Sequence, residues 1–338
     1  MPHPVRCGNW KFSPRRIAGP LRAATLAAIP QDETGVFRIA AFYWRGPAIR
    51  QTVDVRRRSL IELNTAVVLW AGTALFAKWI PLPAHQITGL RSVVAAGALL
   101  VLLTARQDSL GERGLRDLGL LFGSGVALAA HWITYFQSIQ TSTVAIGILS
   151  VHAYPIMTAL VEPLWFKEKL RAFDVGLAAV VGVGLIVLVP EFSPDSPILQ
   201  GTLWGLLSAV LFTLRNLLTR HLRSVYSGIH VTFWQLATSV AVLLPTTLAW
   251  GEPVSASSAY KLVLLGVLFT ALPHTLYTNA LEHLSARSVG MLGTLLPVYG
   301  TVTAALLLGE VPSMRTIVGG AIVLGAVTIE TGRALHTR

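Results

Sequence analysis

The chain has 338 residues, of which 53% are apolar and 13% charged, against roughly 25% charged in ordinary soluble domains. One cysteine, Cys7, excludes an intrachain disulfide and argues against redox chemistry. The net charge of +11 is no nucleic-acid footprint: residues 1–58 hold eleven basic against three acidic side chains, leaving +3 for the other 280 residues.

Residues 1–58 form a basic head with Pro4, Pro14, Pro20, Pro30 and Pro47, no helical periodicity and no continuous apolar core of a signal peptide. The head is expected to be disordered, or to be upstream sequence absent from the mature protein. The competing reading is a tail on anionic lipid through Arg56, Arg57 and Arg58, with a nucleic-acid arm behind both.

From residue 60 onward apolar runs follow one another, at about 62–80, 86–104, 117–135, 143–164, 174–190, 200–219, 229–250, 261–280, 289–308 and 315–332. Roughly 20 such residues cross a bilayer core as a helix, where every backbone group must be bonded internally. The runs lack the periodic polar face of soluble helices. The expected fold is therefore an all-α integral membrane protein with ten transmembrane helices, spans one to ten. Arg106, Arg113, Arg116, Lys167, Lys169, Arg171, Arg220, Arg223, Arg287, Arg333 and Arg338 fall in alternate connections or at the C-terminus. The other connections carry Glu191, Asp195, Glu252 and Glu310, with Lys261 and Arg315 as exceptions. By the positive-inside rule both termini are expected in the cytoplasm, in the cell (inner) membrane.

The stretch from Tyr135 returns 142 residues later at Tyr277: Gln137 falls on Asn279, Pro155 on Pro297 and Glu168 on Glu310, without a gap. The same offset matches 66–70 to 208–212 and Lys78 to Arg220. The expected units are a first repeat at 60–190 and a second at 200–334. Five spans per copy is odd, so the copies are expected in opposite orientations, an arrangement of secondary transporters.

Pro155 and Pro297 sit near the middle of spans four and nine, where each lacks an N–H and crowds the carbonyl of Val151 or Gly293. Freed carbonyls at that depth are tolerated against protein or in a water-lined cavity, so these prolines are expected helix breaks. His131 and Tyr135 share one face of span three; His274 and Tyr277 share one of span eight. Span four adds His152 and Tyr154, and span seven Trp234 and Gln235. Trp70 in span one aligns with Phe212 in span six. These side chains are expected to line a substrate path, each histidine having the plainer alternative of a neutral ring bonded to a nearby carbonyl. Arg215, deep in span six, either snorkels to the cytoplasmic face or serves as a cation for a substrate carboxylate, and Arg91 in span two raises the same question. Glu162 is a candidate partner for Arg215 or a proton carrier; Glu168 and Glu310 are expected fold markers. Gly119, Gly123, Gly201 and Gly205, with Gly176, Gly182 and Gly184 against Gly319 and Gly325, are expected at close helix contacts, which leaves a homodimer open.

The closing motifs carry a resemblance. One runs from Pro155 to Pro163 and Glu168; the other runs from Pro297 to Leu308, Gly309 and Glu310. In these, and in the polar opening of span two with Arg91, residues 60–334 resemble the EamA-type branch of the drug/metabolite transporter superfamily. The first copy departs from the second with Phe166-Lys167 where the second has Leu308-Gly309. The resemblance implies ten helices, cytoplasmic termini, a central cavity between inverted halves and movement of a small-molecule solute by alternating access.

The expected function is export of small metabolites or amino-acid-like compounds. No G-x-x-x-x-G-K-[ST] loop supplies ATP directly. No catalytic residue, metal ligand set or cofactor is expected: there is no H-E-x-x-H and no paired intramembrane Asp. The expected partners are the lipid bilayer and a small-molecule substrate, with no nucleic acid. The alternatives are a flippase for a lipid-linked substrate, which needs an opening toward lipid, and a non-transporting membrane partner subunit, which needs a sealed centre.

Overall fold

The computed structural model describes residues 46–107, 111, 114–167, 169–222, 225–281, 284 and 292–334. Residues 1–45, Glu168 and the expected opening of span nine at 289–291 lie outside these. The chain divides into two compact units, Met1–Thr52 and Val53–Arg338, and the description below concerns the second.

Every regular element among the described residues is helical. Eight helices are long and apolar enough to cross a membrane, and two more apolar helices, Ala172–Leu188 and Leu296–Leu308, are shorter. Together they correspond to the ten spans. Between 33% and 61% of each long window is buried inside the protein. The remaining surface carries large apolar side chains such as Leu115, Leu248, Trp250 and Leu306, as lipid contact requires. The protein is a multi-pass membrane protein of ten helical spans.

Span one begins earlier than the expected head boundary. Its helix runs Gly46–Thr73; residues 1–45 of the expected head lie outside the described residues. Pro47 is the second residue of that helix, where a missing N–H has no partner to lose, and no further proline follows until Pro81. The helix then stops, and a short piece, Phe76–Trp79, completes the span.

Spans four and nine break as their prolines suggest, though not as kinks through a continuous helix. Span four is Val144–Val151, a turn at His152 and Ala153, then Tyr154–Trp165. Span nine has the same turn at Thr294 and Leu295 before Leu296–Leu308. The residue before a proline avoids the α region, and proline is tolerated in a first helical turn. Pro155 and Pro297 each become the second residue of a restarted helix.

Span eight is divided by a third proline. Ala256–Gly266 passes into a π-helical turn at Val267–Ala271, then into Leu272–Leu281 with Pro273 as its second residue. Thr270 Oγ1 donates to the Leu265 carbonyl at 2.8 Å. Remaining ends follow ordinary capping rules: Thr143, Ser227, Ser255 and Ser313 accept backbone N–H bonds at helix starts. Gly309 closes span nine at φ +69, where only glycine is unstrained.

The two copies interleave. Span three packs most extensively on span six (Pro197–Leu222), span two (Ala84–Ala105) on span seven (Gly228–Trp250), and span five (Ala172–Leu188) on span ten (Met314–Ala334). Small residues permit two of these approaches. A Cβ on Gly201 would strike Ser142, and one on Gly205 would meet Ser150 at 2.5 Å. Spans five and ten cross where a Cβ on Gly319 would lie 2.6 Å from the Gly184 carbonyl. Gly119, Gly176, Gly182 and Gly325 meet nothing within 4 Å, so the expected stripe is used only in part.

Candidate substrate site

Gly201 and Gly205 let span six settle against span three (Leu115–Thr141), and this contact builds the first half of the site. His131, buried on span three, donates from Nδ1 to the Ser208 carbonyl at 3.0 Å, while the Ser208 hydroxyl donates to the His131 carbonyl at 2.9 Å. A carbonyl can only accept, so Nδ1 carries the proton. Tyr135 stacks one turn away, with ring centroids 6.2 Å apart. Phe212 is the hub: its ring lies 4.6 Å from His131 and 4.7 Å from Tyr154, edge-on to the latter. His152 adjoins Tyr154 at 6.0 Å and bonds the Ile148 carbonyl through Nδ1 at 2.8 Å. The same carbonyl accepts the His152 backbone N–H at 3.1 Å.

The second half repeats this on spans one and eight. Trp70, the counterpart of Phe212, lies 5.1 Å from both His274 and Tyr277. His274 donates from Nδ1 to the Thr270 carbonyl at 2.7 Å, inside the π-helical turn. The relation crosses the repeats: Phe212 of the second meets His131 of the first, and Trp70 of the first meets His274 of the second. All three histidines are held through Nδ1 by a carbonyl, the plainer alternative stated above.

Two arginines complete the arrangement. Arg215, part-buried, donates from Nε and Nη2 to Gln235 Oε1 at 3.3 and 2.7 Å and from Nη1 to Asn216 at 3.2 Å. Gln235 is fully buried and passes the chain on to Ser124 Oγ at 3.1 Å. Arg215 is therefore anchored inward rather than snorkelling. Arg91 is 2% exposed, with its Cζ 3.9 Å from the Trp132 centroid and 5.2 Å from that of Phe136. A charge at such a position costs about 2.5–3.5 kcal/mol on insertion scales, and a desolvated cation–π contact returns on the order of 2 kcal/mol. Both arginines adjoin the first aromatic group: Arg91 faces Phe136, whose ring lies 6.0 Å from that of Tyr135, and the Arg215 Cζ lies 5.6 Å from the Phe212 centroid. Among the described residues, no group of three or more His, Cys, Asp or Glu could hold a metal ion.

The family model described as EamA-like transporter family matches this chain twice, over residues 59–189 and 199–331. The chain belongs to the EamA-like transporter family. An uncharacterised transporter of Bacillus subtilis, YxxF, is 22% identical over 82% of this chain and 88% of its own length. The pseudopaline exporter CntI of Pseudomonas aeruginosa is 28% identical over 72% of this chain and 85% of its own. A crystal structure at 20% identity and a TM-score of 0.58 covers 82% of this chain and 98% of that one, which shows the fold.

Within this EamA-like chain, nine of the ten residues expected to line a path fall into connected groups. Trp70, His274 and Tyr277 form one, His131, Tyr135, His152 and Tyr154 a second, and Arg215 with Gln235 a third. Trp234 packs beside Phe233 and with the cluster of Leu121, Leu222 and Val231. Phe212 and Ser208 were not singled out as site residues, although the alignment of Phe212 with Trp70 carried the signal. Glu310, an expected fold marker, accepts from the Val144 backbone at 2.8 Å and lies 3.8 Å from Lys78 Nζ.

Proposed function

We propose that this protein is a secondary transporter that exports small metabolites or amino-acid-like compounds by alternating access. The first repeat, 60–190, rocks against the second, 200–334, around the two aromatic groups. The observation that carries this reading is the matched pair of broken helices at residues 152–153 and 294–295, one in each copy at the 142-residue offset. Discontinuous helices of this kind mark substrate sites in inverted-repeat transporters. His131, His152, Tyr135 and Tyr154 on one side, and Trp70, His274 and Tyr277 on the other, form the walls. Arg215 and Gln235 set polarity at one end. The export direction follows the pseudopaline exporter among the relatives. The protein sits in the inner membrane with both termini cytoplasmic, an orientation that its basic connections support.

The test is counterflow in proteoliposomes carrying the purified full chain, against amino acids, nucleosides, sugars and cationic drugs, with and without an imposed pH gradient. Exchange of any one class, reduced at least tenfold in His131→Ala or Phe212→Ala, supports the reading. Exchange by none of them, with the protein folded, removes the soluble-metabolite reading.

A further inference from the structure

Arg91 is the eighth residue of the helix that begins at Ala84, and its side chain is almost fully buried. Trp132 and Phe136 take up the guanidinium from span three. A cation–π contact satisfies charge but not the N–H donors of the guanidinium, which still need acceptors. Nε and Nη1 are buried with no hydrogen-bond partner among the described residues. Neither ion pair among those residues involves Arg91.

Arg215 is the contrast. Its Nε, Nη1 and Nη2 all reach side-chain oxygens of Gln235 and Asn216. One arginine is built into a polar chain of the protein; the other lies against two rings with Nε and Nη1 unmet. Buried polar groups in folded proteins are paired almost without exception, and a buried cation more strictly still. An anion that arrives with a ligand would meet that requirement.

We propose that Arg91 binds a carboxylate of the transported molecule, which deepens and rests on the transporter reading above. The in-plane donors of a guanidinium match the two oxygens of a carboxylate. The one positive charge of Arg91 balances the one negative charge of a carboxylate. The location also fits. The Phe136 ring that Arg91 faces lies 6.0 Å from the Tyr135 ring, so an anion held there lies near the first aromatic group. Gly266, where span eight enters its π-helical turn, packs close enough that a Cβ on it would lie 3.1 Å from the Arg91 carbonyl.

The experiment compares wild type, Arg91→Lys and Arg91→Met, each as the purified full chain. Thermal shift is read with leucine, phenylalanine, glutamate, citrate and benzoate, each beside its amide. At least one acid is expected to stabilise wild type at a tenfold lower concentration than its amide. That preference should disappear in Arg91→Met and weaken in Arg91→Lys. Without ligand, Arg91→Met should melt at or above wild type, because it removes an unpaired buried charge. The proposal is overturned if no acid is preferred to its amide, if Arg91→Met keeps the preference, or if unliganded Arg91→Met melts several degrees lower, which marks Arg91 as a packing group. Proteoliposome flux separates the two readings. Acids that bind through Arg91 without any flux sink transport and leave the site; flux unchanged in Arg91→Met sinks the site and leaves transport.

Discussion

The Thr73 hydroxyl donates to the Phe269 carbonyl at 3.1 Å, joining the break in span one to the π-helical turn of span eight. Phe269 is four residues before Pro273, so its carbonyl is the one a proline ring leaves without an α-helical N–H. Gly72 lets the Phe269 ring approach, since a Cβ there would lie 2.5 Å from it. Removing the hydroxyl in Thr73→Val takes this donor from a part-buried carbonyl and should lower stability by about 1–3 kcal/mol. Thermal unfolding in detergent checks this, and an unchanged melting temperature would mean that the break does not depend on this bond.

Lys167 and Gly309 occupy equivalent positions 142 residues apart, and both have left-handed backbone, φ 57 and φ 69. The copies thus close spans four and nine with the same turn although the residues differ. A non-glycine residue in that region carries about 1–2 kcal/mol of strain. Lys167→Gly should therefore raise the melting temperature by a few degrees. Gly309→Lys should lower it by backbone strain alone, because a Cβ at Gly309 meets nothing within 4 Å. Equal melting points for all three proteins would refute the argument.

Much of this was legible in the residues. Hydropathy alone gives the spans, and the fixed offset gives the equivalence of Pro155 with Pro297 and of Trp70 with Phe212. What was not legible depends on contact. The break after Thr73 has no proline of its own and is tied to a carbonyl released by Pro273 in another span. Trp234 and Gln235 are neighbours in span seven, yet only Gln235 turns to Arg215, and no single-residue pattern distinguishes them. Glycine spacing marks helix contacts only where a partner exists: Gly184 and Gly201 have one, Gly176 and Gly325 do not.

Glu310 joins the two copies at one end of the bundle. Val144 opens the helix of span four, so its N–H is one that the helix itself cannot satisfy, and a carboxylate there is favoured by the helix dipole. Lys78 adds a bond from Nζ to the Ser142 carbonyl at 2.7 Å. Glu310→Ala should cost about 0.5–2 kcal/mol, the usual range for a lost cap. Glu310→Gln should recover part of this. Neutralising the ion pair through Lys78→Met should cost less than about 1 kcal/mol beyond its lost carbonyl bond, since the pair is partly exposed. A double-mutant cycle on melting free energies separates the terms, and no loss in Glu310→Ala would rule out the capping role.

Gln235 holds the Arg215 guanidinium with its oxygen and Ser124 with its nitrogen, so one amide fixes the distance between spans three, six and seven. Gln235→Leu keeps the bulk and removes both bonds. The arginine then loses the acceptor of its Nε and Nη2 while remaining part-buried, and hydrogen bonds to a charged group contribute about 1.5–3 kcal/mol. Stability should fall by that order, with a further loss of transport because Arg215 is no longer oriented. Gln235→Glu should retain the arginine contact and strengthen it, since charge-assisted bonds are the stronger kind. It should therefore melt above Gln235→Leu while transporting less than wild type, as the added negative charge opposes entry of an anionic substrate. Melting curves and proteoliposome flux on the two variants decide the matter: if Gln235→Leu matches wild type in both, the Arg215–Gln235–Ser124 chain is neither a structural nor a functional element.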